Sequence, residues 1–227
     1  MSKEPPLLPA SMRQTPRKDW QVVRTLMTLP SRPALVALLV CLALIARCSI
    51  GHGDPKNPKK NPHPLKRYEI IATTEAPGPW DSIKGVAFFN ITNVKCIAEK
   101  TFPGVRDVPE SVEQSFEMTK VDEKTWKGYF YRDSFKDENY FGLGDCHWDV
   151  TSATPFFTVN SNTFGTGSTL VTLLHGGPET DYFMKSDFKD REKMLYGPSS
   201  FTAKSAEVIK HPDNFFPITI AIKEATP

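Results

Sequence analysis

The chain has 227 residues, enough for one domain of ordinary size with extensions or for two small domains. Basic and acidic residues number seven and two in residues 1–47, five and one in residues 48–67, and sixteen and twenty-three in residues 68–227, which gives charges of +5, +4 and −7. Nucleic-acid binding requires a basic surface, so the acidic body argues against a nucleic-acid partner.

An apolar stretch of 13 residues, Ala34 to Ala46, follows the basic N-terminal region, residues 1–33. At 1.5 Å per residue such a helix reaches about 20 Å, short of the hydrocarbon core of about 30 Å. The length is typical of the apolar region of a signal peptide. Residues 34–50 are therefore predicted to be a signal peptide or membrane anchor. Counting from Met27 gives a signal peptide of conventional length, so Met27 is the predicted translation start, with Met12 as the alternative.

Cys48 lies just after this apolar stretch. The sequence Ile45-Ala46-Arg47-Cys48 resembles the lipobox of bacterial lipoproteins, in which the Cys thiol receives a lipid and becomes the first mature residue. The resemblance implies lipidation of Cys48, although Arg47 stands where that motif has Gly, Ala or Ser. A retained signal anchor and simple cleavage after residues 49–51 are the alternatives. All three place the body outside the cytoplasm; lipidation places it in the periplasm of a bacterial cell envelope, attached to the outer or inner membrane.

Residues 51–67 are rich in Pro and Lys and contain almost no apolar side chains. Such a composition does not offset the entropy cost of ordering, so a disordered linker is predicted. The linker is either a solvated spacer or a segment that rests on anionic lipid headgroups. The cations available for that contact are Lys56, Lys59, Lys60, Lys66 and Arg67.

Residues 68–227 predict an all-β domain, either an antiparallel β-sandwich or a barrel-like fold, with at most one short helix. The turn at residues 122–124 predicts a hairpin between two of its strands. The helix is predicted to begin at Ser186, with Phe188 and Leu195 facing the sheet. Strands are predicted over residues 68–73, 83–97, 116–121, 125–131, 146–151, 156–160, 168–174, 180–184 and 216–222.

Cys96 and Cys146 are the two cysteines of the predicted exported domain. An even pair in an oxidising compartment is most simply a disulfide. The bridge would close a loop of about fifty residues and contribute about 4 kcal/mol to stability. The alternative is a redox or nucleophilic Cys, but no Cys-x-x-Cys motif is present.

Residues 126–148 form the segment densest in aromatic and acidic side chains. It ends in Tyr140-Phe141-Gly142-Leu143-Gly144-Asp145-Cys146-His147-Trp148, which resembles a Gly-x-Gly-x-Cys-x-Trp element of uncharacterised proteobacterial envelope lipoproteins. The resemblance supports the envelope setting and the disulfide, and it implies no catalytic residue. Some proteins of this kind look like immunity partners of secreted toxins.

The aromatic residues of this segment are expected mainly in the core. An alternative is that Tyr140 and Phe141 are exposed on a loop and, with Asp137 and Glu138, form a surface that binds a protein or glycan partner. A second alternative is that the acidic residues hold Ca²⁺, although they lack the spacing of an EF-hand loop.

Known catalytic and cofactor motifs are absent from the sequence, and its histidines are scattered. His147 alternates with Cys146 and Trp148 and is expected to point outward. We therefore expect no cofactor, no metal and no enzymatic activity. The predicted function is that of a membrane-anchored envelope lipoprotein that binds a protein or has a structural role. The alternatives are an immunity or inhibitor protein against a secreted toxin enzyme, and a hydrolase with an unrecognised site.

Overall fold

A computed structural model describes residues 53–100, 104–109, 111–166 and 169–226. Every strand pairing among them is antiparallel, in the order β6-β5-β2-β3-β4-β1-β8-β7. The strands are β1 (Arg67–Thr74), β2 (Ser82–Ile91), β3 (Val112–Lys120), β4 (Thr125–Tyr131), β5 (Trp148–Val159), β6 (Asn162–Phe164), β7 (Glu179–Met184) and β8 (Phe215–Glu224). The predicted all-β, barrel-like fold is confirmed. The predictions for residues 1–50, including Met27 and Cys48, lie outside the described residues.

The strands form because apolar side chains alternate along them. In β4, Trp126, Gly128 and Phe130 are buried, whereas Lys127 and Tyr129 between them lie partly exposed. In β8 the buried apolar positions again alternate with more exposed ones, from Phe216 to Ile222. Successive side chains of a strand point to opposite faces, so each strand contributes one face to a common core. This core is rich in phenylalanine, and Phe89, Phe157, Phe164, Phe183 and Phe216 are its largest fully buried side chains.

The sheet folds over at β3. Residues 112–117 of this strand pair with β2, whereas residues 118–120 pair with β4. The ring of Phe116 lies over Gly85 of β2 and Gly128 of β4, where an added Cβ would overlap it. These two glycines therefore allow the close approach at the fold. The two edge strands meet on the other side, where the rings of Phe164 and Phe183 lie 5.4 Å apart, and the sheet is nearly closed.

Three short α-helices lie among the described residues rather than the single helix predicted: α1 (Leu170–Gly176), α2 (Lys185–Lys189) and α3 (Ala206–Lys210). Two turns of 3₁₀-helix lie at Val94–Cys96 and Pro212–Asn214. The prediction of a strand over residues 168–174 is wrong, because this segment contains α1. The Thr169 hydroxyl accepts a hydrogen bond from the Thr172 N–H and caps that helix. No helix of the described segments has both the length and the apolar character to cross a bilayer.

The helix predicted from Ser186 is a single turn, α2. Phe188 is buried, as predicted, but Leu195 is 85% exposed and does not face the sheet. The chain leaves the helix at Asp190, whose carbonyl accepts hydrogen bonds from the side chains of Asn160 and Asn162. These distant amides, which local sequence does not reveal, hold the segment in a loop.

The linker differs from its prediction over residues 53–66, which lie along the β4–β5 loop. The Asn61 N–H donates to the Ser134 carbonyl at 2.7 Å, and the Lys136 N–H donates to the Lys59 carbonyl at 2.9 Å. The Asp133 carboxylate accepts hydrogen bonds from the backbone N–H groups of Leu65 and Lys66. A chain with few apolar residues is thus ordered by backbone partners that a neighbouring loop supplies.

The strands run between two ends of the sheet. The disulfide end contains residues 53–66, the β2–β3 loop and the β4–β5 loop. The aromatic end contains the β1–β2 loop with Trp80, the β5–β6 turn at Asn160, and α2 with the loop that follows it.

Candidate binding site at the disulfide end

Cys96 and Cys146 lie at disulfide distance, with their Sγ atoms 2.00 Å and their Cα atoms 5.4 Å apart. Cys96 ends a 3₁₀ turn after β2, and Cys146 lies two residues before β5. Both side chains are buried. The predicted pair is therefore brought together, and it joins the two loops that flank the site.

Asn93 holds the same two loops together by hydrogen bonds. Its Nδ2 donates to the Asp145 carbonyl at 2.8 Å, and its Oδ1 accepts from the His147 N–H at 2.6 Å. The Thr92 N–H donates to the His147 carbonyl at 3.0 Å. The backbone on both sides of Cys146 is thus fixed before β5 begins.

Tyr140 is in the core and not on the surface. Only 7% of the residue is exposed, and its hydroxyl accepts a hydrogen bond of 3.0 Å from Trp148 Nε1. Burial raises the pKa of the Tyr140 hydroxyl, and the hydrogen bond from Trp148 opposes that shift in part. Phe141 is partly buried, and its ring centroid lies 6.3 Å from that of Tyr140. The interpretation of Tyr140 as an exposed platform residue is wrong, because its ring is buried edge-on against Trp148 and its hydroxyl is bonded to the same residue.

The two predicted acidic residues both have partners within the domain. Glu138 forms an ion pair of 2.7 Å with Lys59, and the hydrogen bond in this pair raises the pKa of Lys59. Asp137 contacts His147 Nδ1 at 2.6 Å with one carboxylate oxygen, and its other oxygen accepts from the Trp148 N–H. His147 is exposed, as predicted. Within the described ranges, no three His, Cys, Asp or Glu side chains lie close enough together to hold a metal ion.

An open groove of about 650 Å³ runs beside these contacts. Arg132 and Asp149 form a bidentate pair in it, with both N–O distances 2.6 Å, and the hydrogen bond to Asp149 raises the pKa of Arg132 further. Lys66 and Lys136 also line the groove, and neither forms an ion pair with any described residue. The other lining residues are Asn61, Thr92, Asp133, Phe135, Asp137, His147 and Trp148.

The chemistry of the groove follows from these pairings. A His–Asp pair resembles the base and orienting acid of a nucleophilic site, but such a site also needs an adjacent nucleophile. Thr92 has the only hydroxyl group among the lining side chains, and that hydroxyl donates to the His147 carbonyl at 3.2 Å. The carboxylates are occupied by internal partners while two lysines are not. With Lys66, Arg132 and Lys136 against Asp133, Asp137 and Asp149, the lining of the groove is balanced in charge.

Comparison of the chain with protein-family models, with curated proteins and with solved structures gives no match. The sequence prediction named Asp137 and Glu138 but missed Arg132 and Asp149, which lie 17 positions apart. The one available signal is that Asp149 follows the buried Trp148 in a strand and therefore points outward.

Proposed function

We propose that the chain is an exported envelope lipoprotein whose domain binds a partner protein close to the membrane, without catalysis. One observation carries the closeness to the membrane: residues 53–66 lie along the β4–β5 loop, and Cys48 precedes the first described residue, Gly53, by only five positions. At most about 3.5 Å per residue, five positions span at most about 18 Å. A lipid on Cys48 would therefore keep the disulfide end near the headgroups.

The surface charge of the disulfide end supports this orientation. Lys56, Lys60, Lys66 and Lys136 are exposed there, and their ammonium groups form no ion pair with the described part of the chain. A basic residue near an anionic membrane surface contributes about 1 kcal/mol to binding. The four lysines would thus reinforce the hold of a single lipid attachment.

The disulfide supports export of the domain. Such bonds form and persist in oxidising compartments, including the bacterial periplasm. The proposal of binding without catalysis rests on the groove, whose lining hydroxyl is engaged with a backbone carbonyl. The charge of −7 on residues 68–227 favours a basic partner and faster association at low salt.

Lipid attachment is tested by expressing the full chain in a proteobacterium with an alkyne-bearing fatty acid and separating the membranes. We expect the label on the wild type and its loss in Cys48→Ser, since that thiol is the proposed acceptor. Cys41→Ser is the matched control, because it removes the neighbouring thiol and should keep the label. An unlabelled wild type that stays in the membrane would show a signal anchor, and release into the medium would show simple secretion; either result overturns the lipoprotein proposal.

The start site is tested on the same material. Without cleavage, the precursor of Cys48→Ser should begin at Met27 when its N-terminus is sequenced. Peptides from residues 1–26 in that precursor would contradict the proposed start.

A further inference from the structure

A split between β2 and β3 opens at the aromatic end of the sheet. The ladder between these strands ends at the pair Lys84–Glu117, and residues 118–120 of β3 pair with β4 instead. Ser82 and Ile83 of β2 continue to pair with β5. A strand edge without a partner exposes the hydrogen-bonding groups of its backbone. Beyond the last pair, β2 and β3 therefore have facing edges that share no ladder.

The backbone of Lys120 shows that the edge of β3 is open towards this split. The Val121 N–H donates to the Thr125 carbonyl at 2.8 Å, so residue 121 directs its backbone groups towards β4. Successive residues of an antiparallel strand direct these groups to opposite sides. Lys120 therefore directs its N–H and C=O away from β4 and into the split, where its ladder with β2 has already ended.

Two cavities adjoin the split, and Ile83 and Met118 line both of them. The inner cavity, of 340 Å³, is walled by Trp80, Trp126 and the β1–β2 loop. The outer cavity, of 420 Å³, is lined in addition by Lys84, Ser115, Phe116, Glu117 and Thr119. An extended peptide directs alternate side chains to opposite faces. A strand placed in the split would thus have one cavity for each set of its side chains.

Both cations that line the inner cavity have acidic neighbours within the domain. Lys124 pairs with Glu75, which also lines the cavity, at 3.1 Å. Lys120 lies close to Asp122: the pKa of Asp122 is lowered by the hydrogen bond from the Lys124 N–H and, to a smaller extent, by the charge of Lys120. The positive charge of this cavity is therefore already matched.

Two carboxylates of the inner cavity, those of Asp81 and Glu123, remain without a cation. Both residues are exposed and form no ion pair with the described part of the chain. One oxygen of Asp81 accepts a hydrogen bond of 2.7 Å from the Asn160 N–H. In the outer cavity, Lys84 and Glu117 are partners in the ladder and balance each other. The excess of negative charge favours a cationic ligand.

The place of the split in the fold suits a protein rather than a membrane. The split lies beside Trp80 at the aromatic end, whereas the described chain begins with Gly53 at the disulfide end. The 12 residues of β5 separate the two ends, and at about 3.3 Å per residue this is roughly 36 Å. A domain attached through Cys48 would direct the split away from its own bilayer.

We propose that the split between β2 and β3 binds an extended segment of a basic partner protein. The segment adds its backbone to the open strand edges and inserts a Lys or Arg side chain into the inner cavity. The cation contacts Asp81 and Glu123, while its aliphatic stem lies on Trp80 and Met118. The assignment rests on the proposed function, because it names the site and the kind of segment by which the basic partner is held.

The test is a titration of the isotope-labelled full chain, held in dodecylmaltoside micelles, with the capped peptide acetyl-Thr-Val-Arg-Val-Thr-amide. The amide signals of Ile83 and Met118 and the indole signal of Trp80 should shift and saturate, with a Kd below about 1 mM. Two control peptides change one feature each, Glu in place of Arg or N-methylation of both Val residues. Each should bind at least about tenfold more weakly, because the first loses the cation and the second loses backbone pairing.

A variant of the chain tests the carboxylates. Asp81→Asn/Glu123→Gln should raise the Kd of the Arg peptide about tenfold and leave that of the Glu peptide no weaker, since only the cation loses its partners. Asp145→Asn/Glu207→Gln is the matched control. It makes the same change of charge at exposed positions that line neither cavity, and it should bind as the wild type does. Unchanged melting is checked first and is expected, because all four side chains are exposed.

Four outcomes would overturn the assignment. They are the absence of saturable shifts up to about 10 mM peptide, equal binding of the Arg and Glu peptides, equal binding of the N-methylated peptide, and equal loss in the two double variants. A chain that is dimeric in the micelles, and monomeric in Asp81→Asn/Glu123→Gln, would identify a second copy as the occupant and also overturn it. Peptide binding by a chain without the lipid label overturns only the attachment, and a labelled chain that does not bind the peptide overturns only the assignment of the split.

Discussion

The two ends of the sheet are ordered by different forces. At the disulfide end, the Cys96–Cys146 bond and the side chains of Asn93 and Asp133 hold loops that are mostly polar. At the aromatic end, Trp80 packs on four phenylalanine rings with centroid distances of 4.9 to 6.0 Å. The disulfide end thus depends on covalent and hydrogen bonds, whereas the aromatic end combines burial of rings with the hydrogen bonds that Asn160 and Asn162 make to residues 190–194.

The two ends also differ in the side chains that they expose. The disulfide end has a polar groove and exposed lysines, which suit an anionic surface. The aromatic end exposes the apolar side chains of Leu195 and Tyr196. Each end can therefore be weakened separately, and four variants test whether the two respond as their contacts predict.

Removal of the disulfide should have the largest effect. Cys96→Ser/Cys146→Ser releases a loop with a sequence separation of 50 and should lower the free energy of unfolding by about 4 kcal/mol. Urea denaturation measures the loss. A reductant should destabilise the wild type by a similar amount and leave the double variant unchanged. Equal stability of wild type and variant would show that the polar contacts alone order this end.

Truncation of Trp80 should be next. Trp80→Ala removes the ring that contacts Phe157, Phe164, Phe188 and Phe216, and should cost about 3 kcal/mol in the free energy of unfolding. Because the ring contacts of Trp80 lie at the aromatic end, away from the disulfide, the loss of free energy should be the same with and without reductant. Tyr196→Ala is the control and should change stability by less than about 0.5 kcal/mol. A loss that vanishes under reductant would mean that the two ends are coupled.

Loss of the buried amide should have a smaller effect. Asn162→Ala removes three hydrogen bonds to the 190–194 backbone and should cost about 2 kcal/mol in the free energy of unfolding. Hydrogen exchange at the Met194 amide should become faster, since that N–H loses its acceptor. Thr163→Ala, at the exposed neighbouring position, is the control and should leave that amide protected. Unchanged exchange in Asn162→Ala would contradict the fastening of the loop.

The smallest effect is expected from Tyr140→Phe, about 1–2 kcal/mol at pH 7, because the Trp148 N–H loses its acceptor. Burial raises the pKa of Tyr140 in the folded state above the unfolded value of about 10. The stability contributed by this hydroxyl is therefore complete below pH 10 and is lost as the pH rises through the folded pKa. Free energies of unfolding measured from pH 7 to 11 should show the wild type falling towards the variant. A constant difference between the two would refute this reasoning.

Several strands are predictable from the sequence because each has one face on the core. The alternation places β1, β4 and β8 to within two residues of their observed ends. It fails for α1, where a short apolar run has no period that distinguishes helix from strand. Propensity alone also misses the additional helices, which are only five to seven residues long and depend on tertiary contacts.

The candidate site is predictable only in part. Cys96 and Cys146 can be paired from the sequence because the predicted domain has no other cysteine. Asp137 and Glu138 stand out by composition, but their partners, His147 and Lys59, come from other segments. The pairing of Arg132 with Asp149 likewise needs the sheet, which brings the end of β4 near the start of β5.

The sequence by itself determined the division of charge, the all-β class and the cysteine pair, because each depends on composition or on a local period of side chains. Only the tertiary structure decided that Tyr140 lies inside, that Leu195 lies outside and that residues 53–66 are ordered. The reason is physical: local sequence indicates the cost of ordering or burying a residue. Whether that cost is offset depends on partners that distant segments supply.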